Sequence, residues 1–193
     1  MADFYQPARR LPTIESQIVP GGLTLKVEEY WRSLLADREM PARCDVDPAG
    51  LGRLLPNIFL IDVIGGPPRF RWRLIGTGID IVEGCDHTGK WLDETIAHPE
   101  DPILSGCRQT EAERRPTYHA AGHRDLEGKP RRLVRVLLPL SEDGRTVNML
   151  LGATDYRPVE AVAPPPIRTA AQRQAALSIR INAATPMPHA APR

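Results

Sequence analysis

The sequence predicts an α+β domain. It should contain a five-stranded antiparallel sheet with short helices across one face, preceded by an amphipathic helix. Three observations point there. Residues 58–76, IFLIDVIGGPPRFRWRLIG, read as two strands joined by Gly65-Gly66-Pro67-Pro68. Three further strand-like runs, 117–125, 132–140 and 147–156, are linked by turn-like stretches, 126–129 and 142–145. Asp143-Gly144 in the second of these is a strong hairpin signal. Apolar residues at helical spacing occupy the stretches before and between the strands.

The elements can be justified in chain order. Residues 1–22 hold Pro7, Pro12, Pro20 and Gly21-Gly22 without a lasting period, and read as a flexible lead-in. Leu25, Val27, Tyr30, Trp31, Leu34 and Leu35 follow helical spacing, with Thr24 as the expected cap, so a helix is predicted over 24–36. Met40-Pro41 ends it, and a loop follows. Asp47-Pro48 then sets a cap and a proline at the first helical position, starting a short helix that stops before Pro56. In the hairpin, Phe70, Trp72 and Leu74 are expected on one face and Arg69, Arg71 and Arg73 on the other. Its partner strand is apolar on both sides except at Asp62, which places it deeper in the sheet. A short helical piece at 79–84 and a turn before Trp91-Leu92 come next. A helix from Pro102 to about Arg114 then turns Ile103, Leu104 and Cys107 inward. From Arg157-Pro158 to the end the chain is rich in proline and alanine. It carries Arg157, Arg168, Arg173, Arg180 and Arg193 against Glu160, and reads as a mostly disordered basic tail.

Composition narrows the function classes. The 193 residues carry 25 basic and 24 acidic side chains, net +1, which argues against a dedicated nucleic-acid binder. Three scattered cysteines, Cys44, Cys85 and Cys107, make neither a disulfide framework nor a paired zinc site. The first twenty residues hold no apolar core of a secretory signal, and no run is long enough to span a bilayer. The expectation is a cytoplasmic protein that does not enter the membrane.

The order of helix, two strands, short helices, longer helix and three antiparallel strands resembles the layout of a PAS domain, over about Leu25 to Tyr156. The stretches that carry the resemblance are Glu29-Tyr30-Trp31, Leu54-Leu55-Pro56-Asn57-Ile58-Phe59, Phe70-Arg71-Trp72-Arg73-Leu74-Ile75-Gly76-Thr77 and Thr88-Gly89-Lys90-Trp91-Leu92-Asp93-Glu94. The texture is similar to a bacterial subgroup of short stand-alone PAS proteins. The resemblance implies a domain of residues 23–157 that senses or docks, with an internal cavity and partner surfaces on the open sheet face and the first helix.

Candidate chemistry is sparse. Flavin-bearing light sensors of this family carry a reactive cysteine in an Asn-Cys-Arg-Phe-Leu-Gln type stretch; Gly84-Cys85-Asp86-His87-Thr88 lacks its flanking residues. His87 and His98 are the histidines placed for a haem ligand, with residue type as their only support. Cys85, His87 and His98 match no zinc spacing, and His119 with His123 share a strand face. There is no Gly-x-Ser-x-Gly, and Gly76-Thr77-Gly78 is too short to cradle phosphate.

The sequence therefore predicts a non-catalytic sensory or adaptor protein without a cofactor, with a haem or flavin sensor or a small enzyme as the alternative. A small apolar ligand would be lined by Phe59, Leu60, Trp72, Ile79, Val82, Trp91, Leu104, Val136 and Met149, unless Trp72 and Trp91 fill the space. Partner contacts would use Tyr30, Trp31 and Leu34 on the first helix and Arg69, Arg71 and Arg73 on the sheet. The expected partners are a second copy of the chain, giving a homodimer, and a signalling protein.

Overall fold

The structure, a computed structural model, describes residues 22–95, 102–124 and 127–158. The expectations for the lead-in, for His98 and for the tail lie outside these residues. Helix α1 (Leu23–Ser33) is followed by a 3₁₀ turn (Arg43–Asp45), helix α2 (Pro48–Leu51) and a 3₁₀ stretch (Gly52–Asn57). The hairpin is β1 (Ile58–Ile64) and β2 (Arg69–Ile75). Helices α3 (Thr77–Glu83), α4 (Leu92–Thr95) and α5 (Pro102–Glu113) lead to β3 (Thr117–Arg124), β4 (Pro130–Leu140) and β5 (Met149–Pro158).

Local chemistry explains several boundaries. The Asp47 carboxylate accepts from the Ala49 N–H at 2.9 Å, with Pro48 at the first helical position, as the sequence indicates. Thr24 is not the cap of α1. Gly22, at φ +61°, precedes the helix, and Thr24 is buried in its first turn. The β4–β5 turn is built on Asp143, which accepts from Ser141 Oγ at 2.9 Å and from the Arg145 and Thr146 N–H groups at 2.8 and 2.7 Å. These bonds hold its carboxyl well below the ordinary range.

The five strands form one antiparallel sheet in the order β2-β1-β5-β4-β3. The register corrects one expectation from the alternation of β2. Ile61 pairs with Trp72 but Leu60 pairs with Leu74, so Arg73 is an extra residue in a bulge. Trp72 is 8% exposed on the inner face, whereas Leu74, 42% exposed, lies on the outer one. The inserted residue flips the face of everything after it.

The inner face of the sheet is covered throughout, and the outer face over β4, β5 and part of β1. On the inner face Phe59, Ile61, Phe70, Trp72, Leu137 and Leu150 pack with Ile79 of α3, Leu92 of α4 and Ile103, Leu104 and Cys107 of α5. On the outer face Leu60, Val136, Leu138, Met149 and Leu151 pack under Val27 and Trp31 of α1 and Leu51 of α2. The stretch after α1 is more than a loop, because Met40 is fully buried in the inner cluster and Val46 in the outer one. At about 25 cal/mol per Å² of apolar area removed from water, these two layers supply the main drive to fold.

Candidate functional site

Strand register builds a polar patch at one end of the inner face. His119 pairs with Arg135, and Arg135 pairs with Thr154, so three neighbouring strands place these residues on one side. Arg135 Nε donates to Thr154 Oγ1 at 3.4 Å, and its guanidinium carbon stands 5.8 Å from the centre of the Phe59 ring. Tyr156, next on the same face of β5, donates its hydroxyl to Glu83 of α3 at 2.5 Å. Burial, helped by the Glu83 charge, pushes the Tyr156 hydroxyl above its usual range.

His119 is tied into a buried relay. Thr110 of α5 donates to the Gly106 carbonyl at 2.8 Å and stands 2.5 Å from Thr117 Oγ1, which lies 2.9 Å from His119 Nε2. Thr110 has one proton and gives it to Gly106, so Thr117 donates to Thr110 and His119 Nε2–H donates to Thr117. Gly106 makes the approach possible, since a Cβ there would come within 2.6 Å of His119 Nε2. Burial, followed by the Arg135 charge, pulls the His119 pKa below its ordinary value.

A concavity opens on the other side, between α1 and the α5–β3 corner. It encloses about 330 Å³ and is lined by residues that include Glu28, Trp31, Arg32, Arg114, Arg115 and Tyr118. Its charges are spent internally. Glu28 accepts from Tyr118 and pairs with Arg32 at 2.6 Å, Arg114 meets Glu39 at 3.5 Å, and Arg115 meets Glu113 at 2.8 Å. Trp31 is 2% exposed and donates Nε1–H to the Pro139 carbonyl at 2.9 Å. These bonds hold α1 on the sheet.

The residues named from the sequence separate under this geometry. Phe59, Trp72, Ile79 and Leu104 meet on the inner face, with Phe59 and Trp72 edge to face at 5.5 Å between centroids. Leu60, Val136 and Met149 lie on the outer face, so the nine cannot line one cavity; neighbours in a strand point opposite ways. Val82 is half-buried outside both clusters. Trp91 pairs with the free edge of β2 through Arg71, and the Arg69 guanidinium stacks over its ring at 4.2 Å. It is an edge residue and fills no interior space. Of the first-helix set, Trp31 is buried in its own chain and is not a partner contact. Tyr30 donates to the Asp47 carbonyl and accepts from its N–H, and Leu34 is half-buried.

The arginine stripe is exposed but partnered. Arg69 forks onto Asp93 at 3.0 Å, and Arg71 meets Asp62 at 2.9 Å with Arg73 at 4.0 Å from the same carboxylate. Sequence reasoning missed Arg135 and Thr154 as a pair. Arg135 sits in an alternating apolar run, and that alternation was the available signal.

Cofactor chemistry has few donors. Cys85 is exposed beyond α3, 3.1 Å from His87 Nε2, and burial with the Glu83 charge pushes its thiol up, away from the reactive thiolate. The residues present therefore do not fit a flavin that needs an activated thiol over its ring. Among the described residues no group of three His, Cys, Asp or Glu side chains is placed to hold a metal. His119 is committed to Thr117, and the side chain of His123 lies outside the described residues. Among the described residues, no helix is long and apolar enough to cross a membrane.

Known proteins complete the picture. Among solved structures of similar fold are a light-oxygen-voltage domain studied with a flavin analogue and the Rhodobacter sphaeroides LOV protein. The first is 16% identical, over 70% of this chain and 93% of that one, with a TM-score of 0.43. The second is 10% identical, over 82% and 77%, with a TM-score of 0.43. A LOV domain from the Erythrobacter litoralis EL346 blue-light activated histidine kinase is also 10% identical, over 54% and 97%, with a TM-score of 0.41. Likeness at this level concerns the fold and carries nothing about ligands. No curated protein matches the chain. The sequence model described as "PAS domain" matches residues 22–155, which include β1 to β4, most of β5 and the helices on both faces, and this chain belongs to that sensory family.

Proposed function

We propose that this PAS protein is a non-catalytic, cytoplasmic sensory or adaptor module that acts through protein contacts and carries no chromophore. The observation that supports this most is the filled inner layer. Phe59 and Trp72 occupy the space between sheet and helices, and the thiol nearest a light-sensor motif, Cys85, lies outside it. Among the described residues no nucleophile–base–acid arrangement accompanies it, which favours a sensor over an enzyme.

The contact surface in this reading is the outer face of β1 and β2. Helix α1 packs on β4 and β5, leaving Ile64 at 38% and Leu74 at 42% exposure beside the Asp62–Arg71–Arg73 cluster. Apolar groups among charges suit a two-fold contact, in which each Arg can meet a carboxylate of the other copy. The reading predicts a homodimer. Light scattering at micromolar concentration should return twice the chain mass, falling to one chain mass for Leu74→Glu. A wild-type mass of one chain, or a Leu74→Glu dimer, would reject this surface.

A further inference from the structure

The concavity between α1 and the α5–β3 corner has a fixed floor and an exchangeable rim. On the floor, buried Trp31 is bonded to the Pro139 carbonyl, and Glu28, its side chain 10% exposed, is taken by Tyr118 and Arg32. The rim carries the exposed guanidiniums of Arg32, Arg114 and Arg115 and one exposed lining carboxylate, Glu39, at 71%. Arg114 meets Glu39 at 3.5 Å, and Arg115 meets Glu113, which does not line the concavity, at 2.8 Å. Exposed ion pairs of this kind are weak and screened by salt, so an incoming carboxylate can displace Glu39 and Glu113 at little cost. The buried pair at Glu28 does not exchange in this way. Between the charges stand Leu35, Pro116 and Tyr118, each half-buried, around a space of about 330 Å³.

Backbone strain gathers at the same rim. Among the described residues, Ala36 and Arg114 are the two other than glycine with positive φ, at +47° and +51°. Ala36 follows Leu35 of the lining, and Arg114 belongs to the lining. Arg114 follows the last residue of α5, and its N–H donates to the Thr110 carbonyl at 2.9 Å, a helix-ending position that glycine takes without strain. An arginine there runs against local preference, and what it adds is a guanidinium in the concavity next to Arg115 in sequence.

We propose that this groove docks an acidic peptide segment of a partner protein, with one apolar side chain against Leu35, Pro116 and Tyr118 and the flanking carboxylates on Arg114 and Arg115. Three rim guanidiniums against one exposed lining carboxylate set the charge of the partner, and the half-buried apolar walls call for an anchor between its charges. The proposal rests on the adaptor reading above and adds a second surface to it. Tyr118 lies on β3, at the opposite edge of the sheet from β2, so a dimer built on β1 and β2 leaves the groove open.

The probe is the acetylated, amidated peptide Glu-Glu-Leu-Glu-Glu, titrated into the isotope-labelled full chain and followed by NMR. Amide shifts should gather at residues 31–36 and 114–118. Gln-Gln-Leu-Gln-Gln and Glu-Glu-Ala-Glu-Glu should each bind about tenfold or more weakly, the first for lost charge-assisted bonds and the second for a lost anchor. Arg115→Glu should abolish binding, whereas Arg53→Glu, the same charge change at an exposed residue outside the lining, should leave it near wild type. Arg114→Gly should weaken binding about tenfold while the thermal midpoint stays at or above wild type, because glycine suits a φ of +51°. If Arg115→Glu fails to fold, the glycine variant decides. A midpoint that falls together with affinity would make Arg114 a structural residue and overturn its role. Equal binding of the glutamate and glutamine peptides, shifts centred elsewhere, or equal losses in Arg115→Glu and Arg53→Glu would overturn the groove as an acidic docking site. Absence of binding to the wild-type chain would do the same, and the dimer measurement above would still test the adaptor reading.

Discussion

The ring of Phe59 sits against Gly152, its partner across β1 and β5, so closely that a methyl group on the glycine would stand 2.0 Å from the ring's Cζ. Glycine in a strand costs backbone entropy and packs nothing, so its value here is the space it leaves. That space lets Phe59 reach Trp72 on one side and the Arg135 guanidinium on the other. Gly152→Ala should therefore destabilise the domain by about 1–3 kcal/mol through overpacking. Urea unfolding would show it as a lower midpoint at unchanged slope.

Trp72 and Leu74 should respond oppositely to truncation. Trp72 is buried, edge to face with Phe59, and donates to Thr95 Oγ1 at 3.2 Å. Trp72→Ala should cost about 3–5 kcal/mol. Leu74 lies beyond the bulge on the exposed side, so Leu74→Ala, measured at a chain concentration too low for two copies to associate, should stay within about 0.5 kcal/mol. Equal losses in the two variants would mean that the strand keeps unbroken alternation.

Acid should weaken the fold before its carboxylates titrate. Burial holds the folded pKa of His119 below its ordinary value, and burial with the Lys90 charge does the same for His87. The unfolded chain then binds protons first, so stability is complete above the unfolded histidine pKa of about 6.5 and declines as pH falls toward the folded values. Urea midpoints measured between about pH 7.5 and pH 5.5 should drop, and His119→Gln should flatten the decline. A midpoint that rises over this interval would contradict the assignment.

A fragment of residues 22–158 should unfold cooperatively near the full-length midpoint, because both apolar clusters are drawn from within it. Scanning calorimetry of the two chains checks this, and a fall of many degrees would show that the core extends beyond these residues.

The sheet was legible because its signals are local. Alternation in 132–140, Asp143-Gly144 in the last turn and Asp47-Pro48 before α2 all act within a few residues, and each recurs in the structure. The bulge at Arg73 was not legible. Phe70-Arg71-Trp72-Arg73-Leu74 alternates without a break, and the slip is set by which β1 residues face it. Met40 at the end of the predicted first helix and Val46 in the loop after it give no sequence signal of burial, because a single buried side chain has no period to detect. The expected pocket divided for a related reason. Periodicity marks which residues are buried, but only strand order and helix placement decide that Phe59 faces α3 and Leu60 faces α1. Arg135 escaped notice because one charge in an apolar run is ordinarily a solvated one.

The most direct test of a sensor without a chromophore is the absorption spectrum of the full chain purified in the dark. The proposal predicts only the near-ultraviolet band of its tryptophans and tyrosines, unchanged by blue light. A structured visible band that bleaches on illumination, or a Soret band, would show a bound flavin or haem and contradict the account.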